Sequence, residues 1–273
     1  MNDDTEKLPL ILEPDALQKR LGRDQLLIVD LCKPETYRQL HVPGALHLDY
    51  GRLVRIEKPV MGLLPDDDHL SRLFSDLGIA PGTHVVAYDD EGGGRAARLL
   101  WTLDVAGHDG FSLLNGGLQA WANEGYPLEH RPLEATPGNC RAHRTDTGIT
   151  DKDYILAHLQ DPDVVLLDTR SPEEYSGAKR LAHRAGHIPG AVNMDWVNTM
   201  DRRRNLRLLP EPRLREMLTD LNVAPSKQVI VYCHSHHRSA HTYIVLKALG
   251  YPRVKGYPGA WSEWGNDATT PVE

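Results

Sequence analysis

Hydrophobic positions along the chain form short continuous runs that alternate with stretches of helical spacing. The continuous runs lie at 26–30, 85–88, 164–168 and 229–232. Apolar runs of this length suit parallel strands that are covered on both faces. The stretches 95–106 and 238–249 instead place apolar residues three or four positions apart, and a glycine follows each, as at helix C-termini. This alternation predicts an α/β fold with open, mostly parallel sheets flanked by helices.

The same order of elements occurs twice along the chain. Leu26–Asp30 returns as Val164–Asp168, and His41–Ala45 returns as His187–Ala191, in each case about 140 residues later. Matches that keep their order indicate a duplication, so we predict two tandem domains with a linker that shows no periodicity. The predicted bounds are 1–131 for the first domain, 132–148 for the linker and 149–273 for the second domain.

Length and charge fit this organisation and exclude several kinds of partner. The chain has 273 residues, the size of roughly two domains. Acidic residues outnumber Lys and Arg, 38 to 31, which argues against nucleic acid as a partner. No apolar run reaches the ~18–20 residues of a membrane span, and the acidic Met1–Glu6 lacks the features of a signal peptide. We expect a soluble, cytoplasmic protein with no membrane partner.

The two domains differ at the turn between a central strand and the helix that follows it. In the second domain this turn is Cys-His-Ser-His-His-Arg, from Cys233 to Arg238, here called the thiol loop. In the first domain the aligned turn is Asp-Asp-Glu-Gly-Gly-Gly, from Asp89 to Gly94, here called the acidic loop. Ligands of open α/β sheets bind beyond the C-terminal ends of the strands. We expect a working site in the second domain alone, with the acidic loop a degenerate, solvated turn.

The thiol loop favours the ionised form of Cys233. The cysteine precedes a helix N-terminus, where backbone N–H groups and the helix dipole create positive potential. Arg238 adds a full positive charge, and His234, His236 and His237 add more when protonated. Such surroundings lower cysteine pKa values to about 3.5–7.5. A thiolate in this place is a nucleophile, and its cationic surroundings attract an anionic substrate.

Three motifs of the second domain together resemble the rhodanese family of sulfurtransferases in its tandem-domain form. They are Asp168-Thr169-Arg170, Gly-His-Ile-Pro-Gly-Ala from Gly186 to Ala191, and the thiol loop followed by Ser239. The resemblance extends over nearly the whole chain, and the His-His-Arg of the thiol loop is similar to that of a bacterial branch. It implies a catalytically inactive first domain and an active second domain.

The resemblance also implies a mechanism and a set of site residues. In such enzymes the cysteine, here Cys233, attacks the outer sulfur of an anionic donor such as thiosulfate, releases sulfite and carries the sulfur as a persulfide. Cyanide or a thiol then accepts the sulfur, and no metal or organic cofactor is required. Arg238 is implied to stabilise the donor charge, and backbone N–H groups of 234–239 to cradle the persulfide. The implied substrate-binding residues are His234, Ser235, His236, His237, Ser239, Arg184 and Trp196.

The residues after Cys233 leave the physiological donor open. Mammalian-type thiosulfate enzymes place two basic residues directly after the cysteine, and mercaptopyruvate enzymes have a Cys-Gly-Ser/Thr-Gly pattern. The sequence His-Ser-His-His, from His234 to His237, matches neither pattern.

Other functions use a similar loop. Cysteine-dependent phosphatases and arsenate reductases also place a thiolate before an arginine, but the related phosphatases need five intervening residues, and here there are four. A persulfide carrier that delivers sulfur to a partner protein needs the same loop as a sulfurtransferase. A metal site is not expected, because the ligand-type residues of the thiol loop lack the second, separated pair that is typical of structural zinc sites.

The remaining cysteines and the repeated histidines have simpler interpretations. Cys32 and Cys140 lack the surroundings of Cys233 and are expected to be unreactive thiols outside any disulfide. His41 and His187 recur in both domains, including the one without the thiol, which indicates a structural role.

Overall fold

The structure of the protein, a computed structural model, describes residues 8–273. Within these residues the strands are β1 (Ile11–Leu12), β2 (Leu26–Asp30), β3 (Ala45–His47), β4 (Arg55–Glu57), β5 (Val60–Leu63), β6 (His84–Tyr88), β7 (Phe111–Leu114), β8 (Val164–Asp168), β9 (Val192–Asn193), β10 (Met200–Asp201), β11 (Arg207–Leu208), β12 (Gln228–Tyr232) and β13 (Val254–Gly256). The α-helices are α1 (Pro14–Gln18), α2 (Pro34–Gln39), α3 (Asp67–Asp76), α4 (Gly94–Val105), α5 (Gly117–Asn123), α6 (Lys152–Ala157), α7 (Pro172–Tyr175), α8 (Glu211–Asp220), α9 (Arg238–Ala248) and α10 (Ala260–Trp264). Three short 3-10 helices cover Tyr50–Leu53, Trp196–Thr199 and Arg202–Arg204.

Each domain is built on one parallel sheet, as the apolar runs predict. The first sheet has the order β1-β7-β6-β2-β3 and the second the order β13-β12-β8-β9, and the neighbouring strands in both are parallel. The central pairs match across the repeat, with Leu26 opposite His84 in one sheet and Val164 opposite Gln228 in the other. The predicted α/β fold with two similar open sheets is therefore confirmed.

Helices α4 and α9 join the two domains. Each follows the central strand of its sheet and ends just before the predicted glycine, and the two helices pack against each other. Their apolar side chains belong to one hydrophobic cluster, which includes Leu100 of the first domain and Ile244 of the second. Because α4 and α9 start at the acidic loop and the thiol loop, this packing brings the thiol loop against the first domain.

The segment between the domains has no helix or strand from residue 131 to residue 148. It runs over the first domain, where the Gly138 N–H donates to the Ser75 carbonyl (2.7 Å) and the His143 N–H donates to the Ala106 carbonyl (3.0 Å). Its end reaches the second domain, because the Gly148 carbonyl accepts from the Gly256 N–H at 2.9 Å.

The repeated histidines make the same contacts in both domains. His41 Nδ1 lies 2.7 Å from the Tyr37 carbonyl oxygen, and His187 Nδ1 lies 2.9 Å from that of Tyr175. Each imidazole also stacks on the ring of the same tyrosine, with centroids 4.2 and 3.7 Å apart. These contacts connect α2 and α7 to the segments that follow them, which is a structural role.

Candidate active site

Cys233 directly follows β12 and is fully buried at the start of the thiol loop. Helix α10 fixes the outside of the loop, because the Trp261 N–H donates to the Cys233 carbonyl (3.0 Å) and the Ser262 N–H donates to that of His234 (2.9 Å). The loop ends at Arg238, the first residue of α9. The structure thus places the thiol at the edge of the sheet where ligands of parallel α/β folds bind.

The surroundings of the Cys233 sulfur stabilise its thiolate. Burial alone would raise the pKa of the thiol. The positive charge of Arg238, the hydroxyl and N–H of Ser239 and the N–H of Ser235 outweigh burial and lower the pKa to about 7. A large fraction of the side chain is therefore ionised at neutral pH, whereas an ordinary cysteine is mostly protonated. The structure places Arg238 and the N–H groups of Ser235 and Ser239 around the Cys233 sulfur.

Glu174 fixes the orientation of Arg238. The guanidinium donates from Nη1 to Glu174 Oε2 at 2.6 Å and from Nη2 to Oε1 at 2.9 Å, which is a bidentate pair. Burial raises the pKa of Glu174, but Arg238 outweighs it and brings the pKa down to about 2. Glu174 is held in turn by a capping box with Ser171 at the start of α7. A rigid arginine beside the sulfur is the result.

Glu174 was not among the residues predicted from the sequence, although the sequence carries a signal for it. The repeat aligns Glu174 with Thr36 of the first domain and Arg238 with Gly94. Both partners of the ion pair are therefore specific to the domain that carries the thiol. The same contrast that singled out Cys233 identifies this pair.

His237 and Trp196 lie where the thiol loop meets the first domain. His237 Nε2 is 2.5 Å from Glu91 Oε1 of the acidic loop, and its ring centroid is 5.4 Å from that of Tyr50. The Trp196 ring lies 6.1 Å from His237 and 5.4 Å from His241. Two of the predicted substrate-binding residues thus lie together, and the first domain contributes Glu91 and Tyr50 to their surroundings.

His236 and Ser239 are turned toward the interior of the protein. His236 Nδ1 lies 2.8 Å from Ser239 Oγ, and the edge of its ring contacts Trp101 of the first domain at a centroid distance of 4.2 Å. The Ser239 hydroxyl faces the Cys233 sulfur as well. The fully buried His236 side chain therefore belongs to the domain interface, and His236 contributes to the thiol loop only through its backbone.

The expectation that protonated histidines add positive charge needs correction at two positions. Burial and the nearby charge of Arg238 lower the pKa of His234, and burial lowers that of His236 strongly. Both rings are therefore neutral at neutral pH. His234 lines a cavity of about 440 Å³ together with Met61, Arg180 and His183. Arg238 supplies a permanent positive charge next to the thiol.

Arg184 is not available for a substrate, contrary to the sequence-based prediction. Its guanidinium donates to the carbonyls of Trp264 (2.7 Å) and Thr270 (2.5 Å), and it also bonds Asp267 and the Thr270 hydroxyl. These contacts attach the end of the chain to α10. The position upstream of the Gly-His-Ile-Pro-Gly-Ala motif therefore supplies an arginine with a structural role.

The acidic loop is not a solvated turn, which corrects another expectation. Asp89 is 1% exposed, and its Oδ1 accepts the N–H groups of Glu91 (3.0 Å) and Gly93 (2.7 Å). Its Oδ2 accepts those of Arg95 (2.9 Å) and Ala96 (3.0 Å) at the start of α4. In the first domain, the Asp89 carboxylate thus accepts the backbone N–H groups that point into the loop.

The two other cysteines, Cys32 and Cys140, lack the surroundings that favour a thiolate at Cys233. Cys32 is buried, and burial and the charge of Asp30 raise the pKa of its thiol, while burial raises that of Cys140. All three cysteines are free thiols. Within residues 8–273 no group of three or more His, Cys, Asp or Glu side chains is arranged to hold a metal ion.

Comparison with known proteins gives the family. The model of the rhodanese-like domain matches residues 13–124 and again residues 151–267, so the chain belongs to the rhodanese-like domain family. It is 45% identical over 266 residues to the thiosulfate sulfurtransferase of Pseudomonas aeruginosa, covering 97% of each chain. It is 35% identical over 279 residues to the sulfur carrier protein TtuD of Thermus thermophilus, covering 96% of each.

A solved structure shows the same fold. The anaerobic ergothioneine biosynthesis enzyme of Chlorobium limicola superposes with a TM-score of 0.87 at 22% identity, over 100% of this chain and 72% of that chain.

No helix within residues 8–273 is both long enough and apolar enough to span a membrane.

Proposed function

We propose that this protein is a sulfurtransferase in which Cys233 receives a sulfane sulfur from thiosulfate or a related anionic donor. The observation that carries the proposal is the Cys233 sulfur itself, which receives hydrogen bonds from Ser235 and Ser239 beside Arg238 and has a pKa of about 7. Membership of the rhodanese-like family and 45% identity to a thiosulfate sulfurtransferase support the same reaction.

The proposed reaction balances with the thiolate alone. The Cys233 thiolate attacks the outer sulfur of thiosulfate, a new S–S bond forms, and the bond to the sulfonyl sulfur breaks with its electron pair leaving on sulfite. The resulting persulfide carries one negative charge, as the thiolate did. Cyanide or a thiolate then takes the outer sulfur and returns Cys233 to its thiolate. The scheme needs neither a metal nor an organic cofactor.

The residues around Cys233 have distinct proposed roles. Arg238 attracts the donor and stabilises charge on the leaving sulfite, while Glu174 holds the guanidinium in place. The N–H groups of Ser235 and Ser239 stabilise the persulfide anion as they stabilise the thiolate. We assign His234, His237 and Trp196 to the surroundings of the donor or acceptor.

A sulfur carrier function is the second candidate, because the chain is 35% identical to a protein named as a sulfur carrier. Both candidates form the same persulfide and differ in the acceptor, which is a small molecule for the enzyme and a partner protein for the carrier. A cytoplasmic location and the absence of a nucleic-acid partner remain predictions from composition.

Intact-mass spectrometry combined with turnover tests the proposal. Wild type is treated with thiosulfate, 3-mercaptopyruvate or glutathione persulfide, and thiocyanate formation from cyanide is followed in parallel. We expect thiosulfate to add one sulfur atom and turnover to fall at least about 1000-fold in Cys233→Ser, because the nucleophile is lost. Cys32→Ser and Cys140→Ser are the matched controls and should behave as wild type.

The outcomes separate the candidates. A stable persulfide on Cys233 with thiocyanate formation near background favours the sulfur carrier. Full turnover in Cys233→Ser contradicts the mechanism, and Cys233-dependent hydrolysis of an aryl phosphate without sulfur loading favours a phosphatase.

A further inference from the structure

Arg98 is a buried arginine of the first domain that reaches the thiol loop of the second. It lies on α4, is 0% exposed, and its guanidinium carbon sits 4.7 Å from the centroid of the Trp101 ring. Long cationic side chains are almost never fully buried without a specific set of partners. The partners of Arg98 therefore indicate what the residue does.

The guanidinium of Arg98 connects the thiol loop to the hairpin that the antiparallel strands β4 and β5 form. Nη1 donates to the His236 carbonyl at 3.2 Å and lies 3.5 Å from that of Ser235. Nη2 donates to the carbonyls of Gly62 (2.9 Å) and Leu63 (3.3 Å) on β5. A planar guanidinium suits this arrangement because it presents several donors in a fixed geometry.

These contacts complement the hydrogen bonds at the sulfur. Two loop N–H groups, those of Ser235 and Ser239, point at Cys233. Carbonyls of the same loop point the other way and need donors of their own once buried. His236 also has a φ of 52°, a left-handed conformation that a residue with a side chain keeps only where its surroundings enforce it. Arg98 supplies donors at this place.

The hairpin that shares Arg98 lies against the thiol loop. A side chain at Gly62 would collide with the Ser235 carbonyl, so the close approach of β5 to the loop requires glycine. Arg98, β5 and the thiol loop therefore form one packed unit, although the first two belong to the domain without the thiol.

The charge of Arg98 also acts on the thiol. The Tyr50 hydroxyl and the Cys233 thiol both favour its charged form, and Arg98 in turn helps to lower the pKa of the buried His236. Burial lowers the pKa of Arg98, and the Cys233 thiolate opposes that effect. An arginine stays protonated in proteins, and by reciprocity its charge favours the thiolate. Arg238, which also donates a hydrogen bond to the Cys233 sulfur, has the larger effect.

We propose that Arg98 is a positioning residue for Cys233, which holds the thiol loop in the conformation that directs its N–H groups at the sulfur. The proposal rests on the sulfurtransferase function only for its turnover readout. The first domain, which lacks the thiol, is thereby part of the active site.

Two substitutions separate the geometry from the charge. Arg98→Met keeps much of the side-chain volume and removes both donors and charge, and Arg98→Lys keeps the charge without the fork of donors. Arg38→Met is the control, because Arg38 is an exposed arginine of the same domain that pairs with Glu35. We measure the Cys233 thiol pKa from thiolate absorbance, the amount of persulfide and the turnover with thiosulfate.

We expect Arg98→Met to raise the Cys233 pKa and to lower turnover on the order of tenfold to hundredfold, because small displacements at a reacting centre have effects of that size. Arg98→Lys, which keeps the charge but lacks the fork of donors that holds the loop, should also raise the thiol pKa and lower turnover, and Arg38→Met should change neither. Wild-type values of both in Arg98→Met overturn the proposal, as does wild-type turnover in Arg98→Lys.

A measurement on wild type decides the matter if neither variant folds. The side-chain NMR signals of labelled arginines are compared before and after Cys233 is blocked by alkylation, with Cys233→Ser to mark signals that respond to this thiol. Because Arg238 also responds to this thiol, the comparison is repeated in Arg238→Lys. A guanidinium signal in the slowly exchanging, buried set should still shift there, and no shift contradicts the proposal. The thiol pKa needs no sulfur donor, so failure of the sulfurtransferase function and failure of this proposal are distinguishable.

Discussion

The thiol loop and the acidic loop occupy equivalent places in the two domains and direct the same N–H groups inward. Counted from Cys233 or Asp89, the third and seventh residues donate to the first, as Ser235 and Ser239 in one domain and Glu91 and Arg95 in the other. The groups that receive these bonds differ. The acidic loop binds a carboxylate of its own chain, and the thiol loop binds a sulfur that can react.

This difference shows how one backbone arrangement serves two purposes. A carboxylate with two oxygens accepts four N–H groups, caps α4 and leaves no acceptor site open. The Cys233 sulfur accepts two backbone N–H groups, from Ser235 and Ser239, together with the Ser239 hydroxyl. The positive charge of Arg238, held in place by Glu174, lies beside it. The first domain thus keeps the architecture of the site for stability, and the second keeps it for chemistry.

Removing the internal anion of the acidic loop tests its structural role and has the largest expected effect. Asp89→Ala leaves four N–H groups without their acceptor, so we expect a loss of about 2–4 kcal/mol in the free energy of unfolding. Urea unfolding measures this loss, and persulfide loading of the folded protein should stay that of wild type.

Asp90→Ala is the control for that experiment. Asp90 is partly exposed and pairs with Arg95 at 3.5 Å, so its removal should cost at most about 1 kcal/mol. Equal losses in Asp89→Ala and Asp90→Ala would show that the buried carboxylate has no special role.

The pair beside the thiol should make stability depend on acid. Arg238 holds the pKa of Glu174 at about 2, below the ordinary 4.5, so its contribution is complete above pH 4.5 and is lost as the pH falls toward 2. Over that interval wild type should lose up to about 3 kcal/mol more than Glu174→Gln. Unfolding at a series of pH values measures the difference.

The exposed Glu35, which aligns with Glu173, provides the control for this comparison. Glu35→Gln should keep the acid dependence of wild type, because exposed ion pairs contribute ~0–1 kcal/mol. If Glu174→Gln loses stability in acid as steeply as wild type, the ion pair does not have the strength described here.

The sequence predicted the sheets, the helices α4 and α9 and the thiol loop because those features follow from patterns within one segment. Apolar runs and the order of the repeat identify the strands, and the contrast between Cys233 and Asp89 identifies the reactive turn. The prediction that Arg184 binds substrate was wrong because a position in a motif does not reveal whether a guanidinium already has partners. Here its partners lie near the end of the chain.

Contacts between distant segments were the part that the sequence could not predict. Arg98 meets the thiol loop across 138 residues of chain, and Glu91 meets His237 across 146. From sequence alone, a charged residue in a helix is expected to be exposed, because its tertiary partners are not known. Asp89 was misjudged for the same reason, since nothing in the sequence shows that its carboxylate turns back onto its own loop.

The thiolate absorbance of wild type minus that of Cys233→Ser, titrated from about pH 4 to about pH 10, tests the central claim most directly. The measurement concerns the sulfur itself and requires neither donor nor acceptor. We expect a single transition with a midpoint of about 7, because Arg238 and the loop N–H groups outweigh burial. A midpoint at or above about 8.5, the value of an ordinary cysteine, would contradict the account.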